Sequence, residues 1–266
     1  MHIRDIEAKF RSPIRADYPE LEGYTRDEIH EDNMGVGVLF MAAKMSRAMG
    51  LKEDDIVMDL GCGKGATAAF LAKHFGVQIV AVDLWNSPTF LSNKFEQRGY
   101  RGKILPLQLD VTEKLPFAED YFDAVFCMCS FHYYGGSVEF LGHLVKHIKP
   151  GGILCVGNPC FNQEFTPEQL ENLPHVYDDG TDVWENEFSR YHSPGWWENL
   201  FEDSGVLEVL ECFEVGDGVV MWEDDLLMDI RKGFPDADKE RDAAQIAYRY
   251  DNAPYLTHFI ITARKR

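Results

Sequence analysis

Positive charge is in short supply in this chain: 26 Lys and Arg stand against 45 Asp and Glu, a net charge of −19. A surface of that sign repels a phosphate backbone, so nucleic acid is not an expected partner. The deficit is uneven, with 19 acidic residues between Glu164 and Asp229 and one basic residue, Arg190. No apolar run approaches the roughly 20 residues that cross a bilayer, because Asp, Lys or His interrupts each one. The opening "MHIRDIEAKFRSP" carries charges where a secretory signal has an apolar centre, which predicts a cytoplasmic protein. Cysteine is sparse. The six, at 62, 127, 129, 155, 160 and 212, include no Cys-x-x-Cys pair and no His at ligand spacing, so neither a zinc site nor a disulfide framework is expected.

What is present is an alternation of short apolar runs with helical patterns. "DIVMDL" (55–60), "VQIVAVD" (77–83), "KILPLQLD" (103–110), "YFDAVFCMCS" (121–130) and "GGILCVGNP" (151–159) read as strands apolar on both faces. Between them "KGATAAFLAKHFG" (64–76), residues 87–97 and "VEFLGHLVKHI" (138–148) read as helices. Strands buried on both faces and alternating with helices make a parallel sheet covered on two sides. Later, "VLEVLECFEV" (206–215) and "THFIITARK" (257–265) are strands placed to pair antiparallel at an edge, after a helix over 193–205 and around a helical, acidic stretch over 223–248. The expectation is an α/β, doubly wound, mostly parallel seven-stranded sheet with an antiparallel edge strand and a helical, acidic insert. Residues 1–50 would form an N-terminal lid and a helix over 32–49 capped by Asp32 or Asn33. Residues 51–266 would form the core, with a substrate-facing insert at about 160–240.

The chemistry concentrates in "VMDLGCGKGATAAFLAKHFGVQIVAVDLW". Gly61, Gly63 and Gly65 occupy the turn from the first strand into its helix, where a backbone free of side chains approaches a ligand closely. Asp83, ending the second strand, suits the two hydroxyls of a ribose. The glycines alone also fit the dinucleotide pattern, in which a pyrophosphate sits on the helix N-terminus. Asp59 separates the two readings, because a carboxylate there repels a pyrophosphate and suits an ammonium. The pattern therefore moves towards a nucleoside that carries an amino acid.

With these residues in view, the chain resembles the class I S-adenosylmethionine-dependent methyltransferases, and within them the small-molecule group with a D-x-G-C-G-x-G loop. The resemblance spans roughly Asp55 to Pro159 at four places. It implies that Asp59, Gly61, Gly63 and Gly65 hold the methionine part, and that Asp83 and Leu84 hold the ribose and pack on adenine. It implies that Asp110, with Val111 beside it, lies near the adenine amine, and that "FDAVFCMCSFHYY" supplies Cys129 beside the cofactor. S-adenosylmethionine is then the implied cofactor and a small molecule the methyl acceptor. His132 is the candidate general base and Tyr133 the second catalytic candidate, with Tyr134 an alternative. Equally, one of these rings fills the pocket floor and the histidine caps a turn. Residues 18–40, including Tyr24, His30, Met34 and Phe40, would cover the pocket. Trp184, Tyr191, His192, Trp196, Trp197 and Trp222 would face it from the insert, where aromatics among carboxylates suit an amine or cationic acceptor or else pack the insert onto the sheet. Two other classes stay open: an NAD-dependent oxidoreductase, and a protein that binds S-adenosylmethionine without turnover.

Overall fold

The computed structural model describes residues 17–173, 176, 182, 188–216, 218, 221, 224, 225, 228 and 255–266. Its centre is a seven-stranded sheet of order β3-β2-β1-β4-β5-β7-β6. The strands are β1 (Ile56–Leu60), β2 (Gln78–Asp83), β3 (Ile104–Gln108), β4 (Phe122–Met128), β5 (Ile148–Phe161), β6 (Leu207–Glu214) and β7 (Leu256–Lys265). The first five are parallel, and β7 runs antiparallel between β5 and β6. The late pair completes one edge as the patterns require, with β7 inside and β6 outermost. The helices in chain order are α1 (Arg26–His30), α2 (Val38–Met49), α3 (Ala66–Phe75), α4 (Pro88–Gln97), α5 (Val138–Val145), α6 (Pro167–Glu171) and α7 (Pro194–Asp203).

Both sheet faces are covered. Phe40, Met41, Met45, Phe70, Leu71 and Phe95 bring α2, α3 and α4 onto one face, while Leu141, Leu144, Trp197 and Phe201 bring α5 and α7 onto the other. A third cluster, of Phe161, Phe165, Leu173, Phe188, Tyr191, Tyr255 and Leu256, fastens part of the insert to the ends of β5 and β7. Ser87, Ser137 and Ser193 cap α4, α5 and α7 by accepting a hydrogen bond from the N–H three residues on.

The first long helix differs from its sequence pattern. It starts at Val38 after Gly37, which stands at φ +63°, and not at Asp32 or Asn33. Those two side chains have other partners: Asp32 pairs with Lys94 and Arg98, and Asn33 donates to Asp225. The expected helical stretch 223–248 lies outside the described residues except for Asp224, Asp225 and Met228, which are helical. Among the described residues no helix is long and apolar enough to cross a membrane.

Candidate active site

In an open α/β sheet the loops that leave the carboxyl ends of neighbouring strands part where the strand order reverses, and that gap takes the ligand. Here it opens beside β1, between β2 and β4, and holds a cavity of about 580 Å³. The loop after β1 forms one wall. The N–H groups of Gly61 and Cys62 donate to the Val82 carbonyl at 2.8 and 2.9 Å, and the Gly63 N–H donates to Asp83 Oδ2 at 2.9 Å. Gly61 has no alternative. It stands at φ +75°, and a β-carbon there would lie 2.1 Å from Ser130 Oγ.

Asp83 ties two loops together. Besides Gly63, its other oxygen accepts from the Trp85 N–H (2.9 Å), the Asn86 N–H (2.8 Å) and the Asn86 amide (2.9 Å). Asp110 is exposed on the wall and accepts the Thr112 hydroxyl at 2.6 Å and its N–H at 2.9 Å, which hold its carboxyl below the usual value. β4 ends in Met128, and Cys129 follows it at φ +54°, a conformation that side chains adopt rarely and mostly where surrounding structure imposes it. Ser130 follows. Its hydroxyl donates to the Leu60 carbonyl (3.1 Å) and lies 2.7 Å from the Tyr134 hydroxyl. Burial holds Tyr134 protonated, well above the ordinary tyrosine range.

Of the residues singled out in the sequence, Gly61, Gly63, Asp83, Leu84, Asp110, Val111, Cys129 and Tyr133 stand on the cavity wall. Three stand behind it. Asp59 is buried at the end of β1, and the hydroxyl of Thr67, itself on the wall, donates to its Oδ2 at 2.5 Å. Its Oδ1 has no hydrogen-bond partner, and burial pushes its carboxyl up to about 7. Gly65 serves packing, since a β-carbon at φ +84° would lie 2.5 Å from the ring of Phe95 on α4. His132 is buried with its ring 4.0 Å from that of Tyr133 and 5.3 Å from that of Tyr191.

The wall also holds residues that sequence reasoning passed over: Asp32, Thr67, Trp85, Ser130 and Arg190. Arg190 had a signal, as the one basic residue of an acidic segment; the hydroxyls had none. Of the covering candidates, Met34 lines the cavity, together with Gly35 and Val38. Tyr24 instead packs against α3, its hydroxyl 3.2 Å from His74 Nε2, and Phe40 is in the core. Trp197 is buried in the core and Trp196 stacks on His192 at 3.7 Å; Trp184 and Trp222 lie outside the described residues.

The covering segment is fastened by charge. His30 lies between Asp224 (Nε2 to Oδ2, 2.9 Å) and Asp225 (Nδ1 to Oδ1, 2.5 Å), Arg26 also pairs with Asp224, and the Gly37 N–H donates to Asp225. Burial opposes a charge on His30, but its bonds to Asp224 and Asp225 outweigh that and push it up to about 9. A histidine raised from 6.5 when folded adds stability that is complete below pH 6.5 and is lost as pH rises through about 9. Wild type should therefore exceed His30→Gln by about 2 kcal/mol near neutrality, with the gap closing above pH 9, as urea titrations across that range would read. A gap independent of pH would mean that His30 is neutral in its pocket.

The same fold appears in known proteins. Residues 57–152 match the family model of the methyltransferase domain. Erythromycin 3''-O-methyltransferase of Saccharopolyspora erythraea is 30% identical over 119 residues, 44% of this chain and 39% of that protein. The chain spans about half the length of the curated relatives it matches. Phosphoethanolamine N-methyltransferase 2 of Haemonchus contortus, solved in complex with S-adenosyl-L-methionine, superposes with a TM-score of 0.71 at 14% identity, covering 100% of this chain and 60% of that one. The [4+2]-cyclase SpnF superposes at 0.66 with 19% identity, covering 85% and 79%. By its sheet order and these superpositions the chain has the class I, Rossmann-like methyltransferase fold, and residues 57–152 are the part similar to the methyltransferase domain.

Proposed function

We propose that the protein transfers a methyl group from S-adenosylmethionine to a small-molecule acceptor. One observation carries the reading furthest: the cavity is walled by Asp83 and Asp110, beside an Asp32 paired with Lys94 and Arg98, against a single described lining cation, Arg190, with Asp59 buried behind the loop and one of its oxygens without a partner. That field suits a ligand bearing an ammonium and a sulfonium and opposes a pyrophosphate, which disfavours the NAD-dependent alternative. S-adenosylmethionine, when bound, supplies a methyl group already activated by its positive sulfur.

The chain's own residues then bind, orient and exclude water. Gly61 and Gly63 would hold the amino-acid end, Asp83 and Leu84 the ribose and one adenine face, and Asp110 the adenine edge. Met34, Gly35 and Val38 cover the cavity, so closely that a β-carbon on Gly35 would lie 2.5 Å from Cys129 Cβ. On the acceptor side Tyr133 has direct access. A base role for His132 needs a path to the cavity, and His132 is buried off its wall with its ring 4.0 Å from that of Tyr133. The amine-acceptor reading finds no support in Trp196 or Trp197, which pack elsewhere.

A second reading, nucleoside binding without methyl transfer, is favoured by the [4+2]-cyclase that shares this fold, since one fold hosts many chemistries. Calorimetric titration with S-adenosylmethionine, S-adenosylhomocysteine and NAD tests the ligand. The first two should bind and NAD should not; NAD binding alone would sink the proposal. Methyl transfer from labelled donor to a panel of small acceptors separates the first reading from the second.

A further inference from the structure

The donor reading gives the Tyr134 hydroxyl no task, although its place is closely fixed. Tyr134 stands on the cavity wall with its ring packed on those of Phe131 and Phe140, at centroid distances of 5.8 and 5.1 Å. Its oxygen lies 3.5 Å from the point that a β-carbon on Gly61 would occupy, which sets it against the glycine loop.

The protons of its neighbours decide what that oxygen offers. Ser130 has one hydroxyl proton and gives it to the Leu60 carbonyl at 3.1 Å, which leaves the Ser130 oxygen as an acceptor. The Tyr134 hydroxyl, 2.7 Å away, therefore donates to Ser130. Cys127 Sγ lies 3.1 Å from the Ser130 oxygen and 3.4 Å from that of Tyr134. Burial pushes this thiol up to about 12, so it stays protonated and donates to one of the same two oxygens. All the protons of the cluster are then engaged within it, and the Tyr134 oxygen keeps a lone pair with no hydrogen to turn towards the cavity. Such a group attracts a cation and repels a carboxylate.

The donor carries two positive charges. Its ammonium has the buried Asp59 carboxylate as counter-charge, one oxygen of which is unpartnered. Its sulfonium has no N–H or O–H to donate, and is recognised through charge by an oxygen that meets it with a lone pair. We propose that the Tyr134 oxygen, kept an acceptor by Ser130 and Cys127, faces the sulfonium and makes the site favour the charged donor over the thioether left after transfer. This rests on the methyltransferase reading of the same cavity. It gives the spent product a weaker hold than the donor that replaces it.

The test titrates the full chain, Tyr134→Phe and Ser130→Ala calorimetrically with S-adenosylmethionine and S-adenosylhomocysteine. Tyr134→Phe keeps the ring and removes the oxygen, so it should weaken the sulfonium ligand about tenfold and the thioether by no more than about threefold. Ser130→Ala takes away the acceptor that holds the Tyr134 proton, and should shift the ratio of the two affinities in the same direction. Retained S-adenosylhomocysteine binding certifies the fold of each variant, and each is judged alone, so a variant that does not fold leaves the other to decide. An equal loss of both ligands in Tyr134→Phe would give the oxygen to the ammonium or to the loop and overturn the proposal, as would no loss of either. A ratio unchanged in Ser130→Ala would overturn it as well, because the Tyr134 proton would not have been held where the hydrogen bonds place it. Wild type that binds neither ligand sinks the donor reading and this proposal with it, whereas binding of both without the shift in ratio sinks this proposal alone.

Discussion

Asp83→Ala is expected to lower affinity for S-adenosylhomocysteine at least about 100-fold and to cost about 2–4 kcal/mol of stability. The carboxylate accepts three backbone N–H groups, from Gly63, Trp85 and Asn86, and the Asn86 amide. Each buried donor left without an acceptor costs about 1–3 kcal/mol, and water reaching the exposed Trp85 recovers part of the sum. Binding falls together with stability because Asp83 both shapes the loop and is assigned the ribose hydroxyls. Asp83→Asn keeps one acceptor oxygen and should retain most of the stability with little of the affinity. Calorimetry and urea unfolding on the same samples check both halves. Unchanged affinity in Asp83→Asn would move the ribose away from this wall.

Trp197→Ala should be the most destabilising substitution in α7, at about 3–5 kcal/mol, with S-adenosylhomocysteine affinity unchanged in whatever fraction folds. The indole is buried, stacks on Phe259 of β7 at 5.6 Å and 16°, and contacts Phe131 at 5.9 Å. Its ring N–H has no partner, so Trp197→Phe gives up volume without stranding a polar group and should cost no more than about 1.5 kcal/mol. Denaturant midpoints rank the three proteins. A change in acceptor selectivity without loss of stability would return Trp197 to the substrate side, where its sequence context first suggests it.

Local pattern determines a good deal here. Apolar strands alternating with helices dictate a parallel, doubly wound sheet, because a strand apolar on both faces has nowhere else to go; β3, at the edge with Leu105 exposed and no helix between it and β4, is the one of the five that departs from this. Gly61 and Asp83 are legible for the same reason: a turn at φ +75° and an acid ending a parallel strand each have few uses. Motif position also points to Asp59, Gly65 and His132, yet it does not say which way a side chain faces. Asp59 turns behind Thr67, Gly65 makes room for Phe95, and His132 is buried against Tyr133 and Tyr191.

What the sequence by itself determined is the sheet, its glycine loop and the acidic character of the chain, all of which follow from periodicity and from residues a few positions apart. Only the tertiary structure decided how the cavity is covered and which distant side chains meet at its wall. Asp224 meets Arg26 across 198 positions and His30 across 194, and Arg190 reaches Tyr133 because a separate cluster of Phe161, Phe188, Tyr191 and Tyr255 holds its turn in place. Pairings over such distances leave no period in the chain. They are set by the shape of the packed core, which brings one surface of the insert, and not another, against the segment that follows β4.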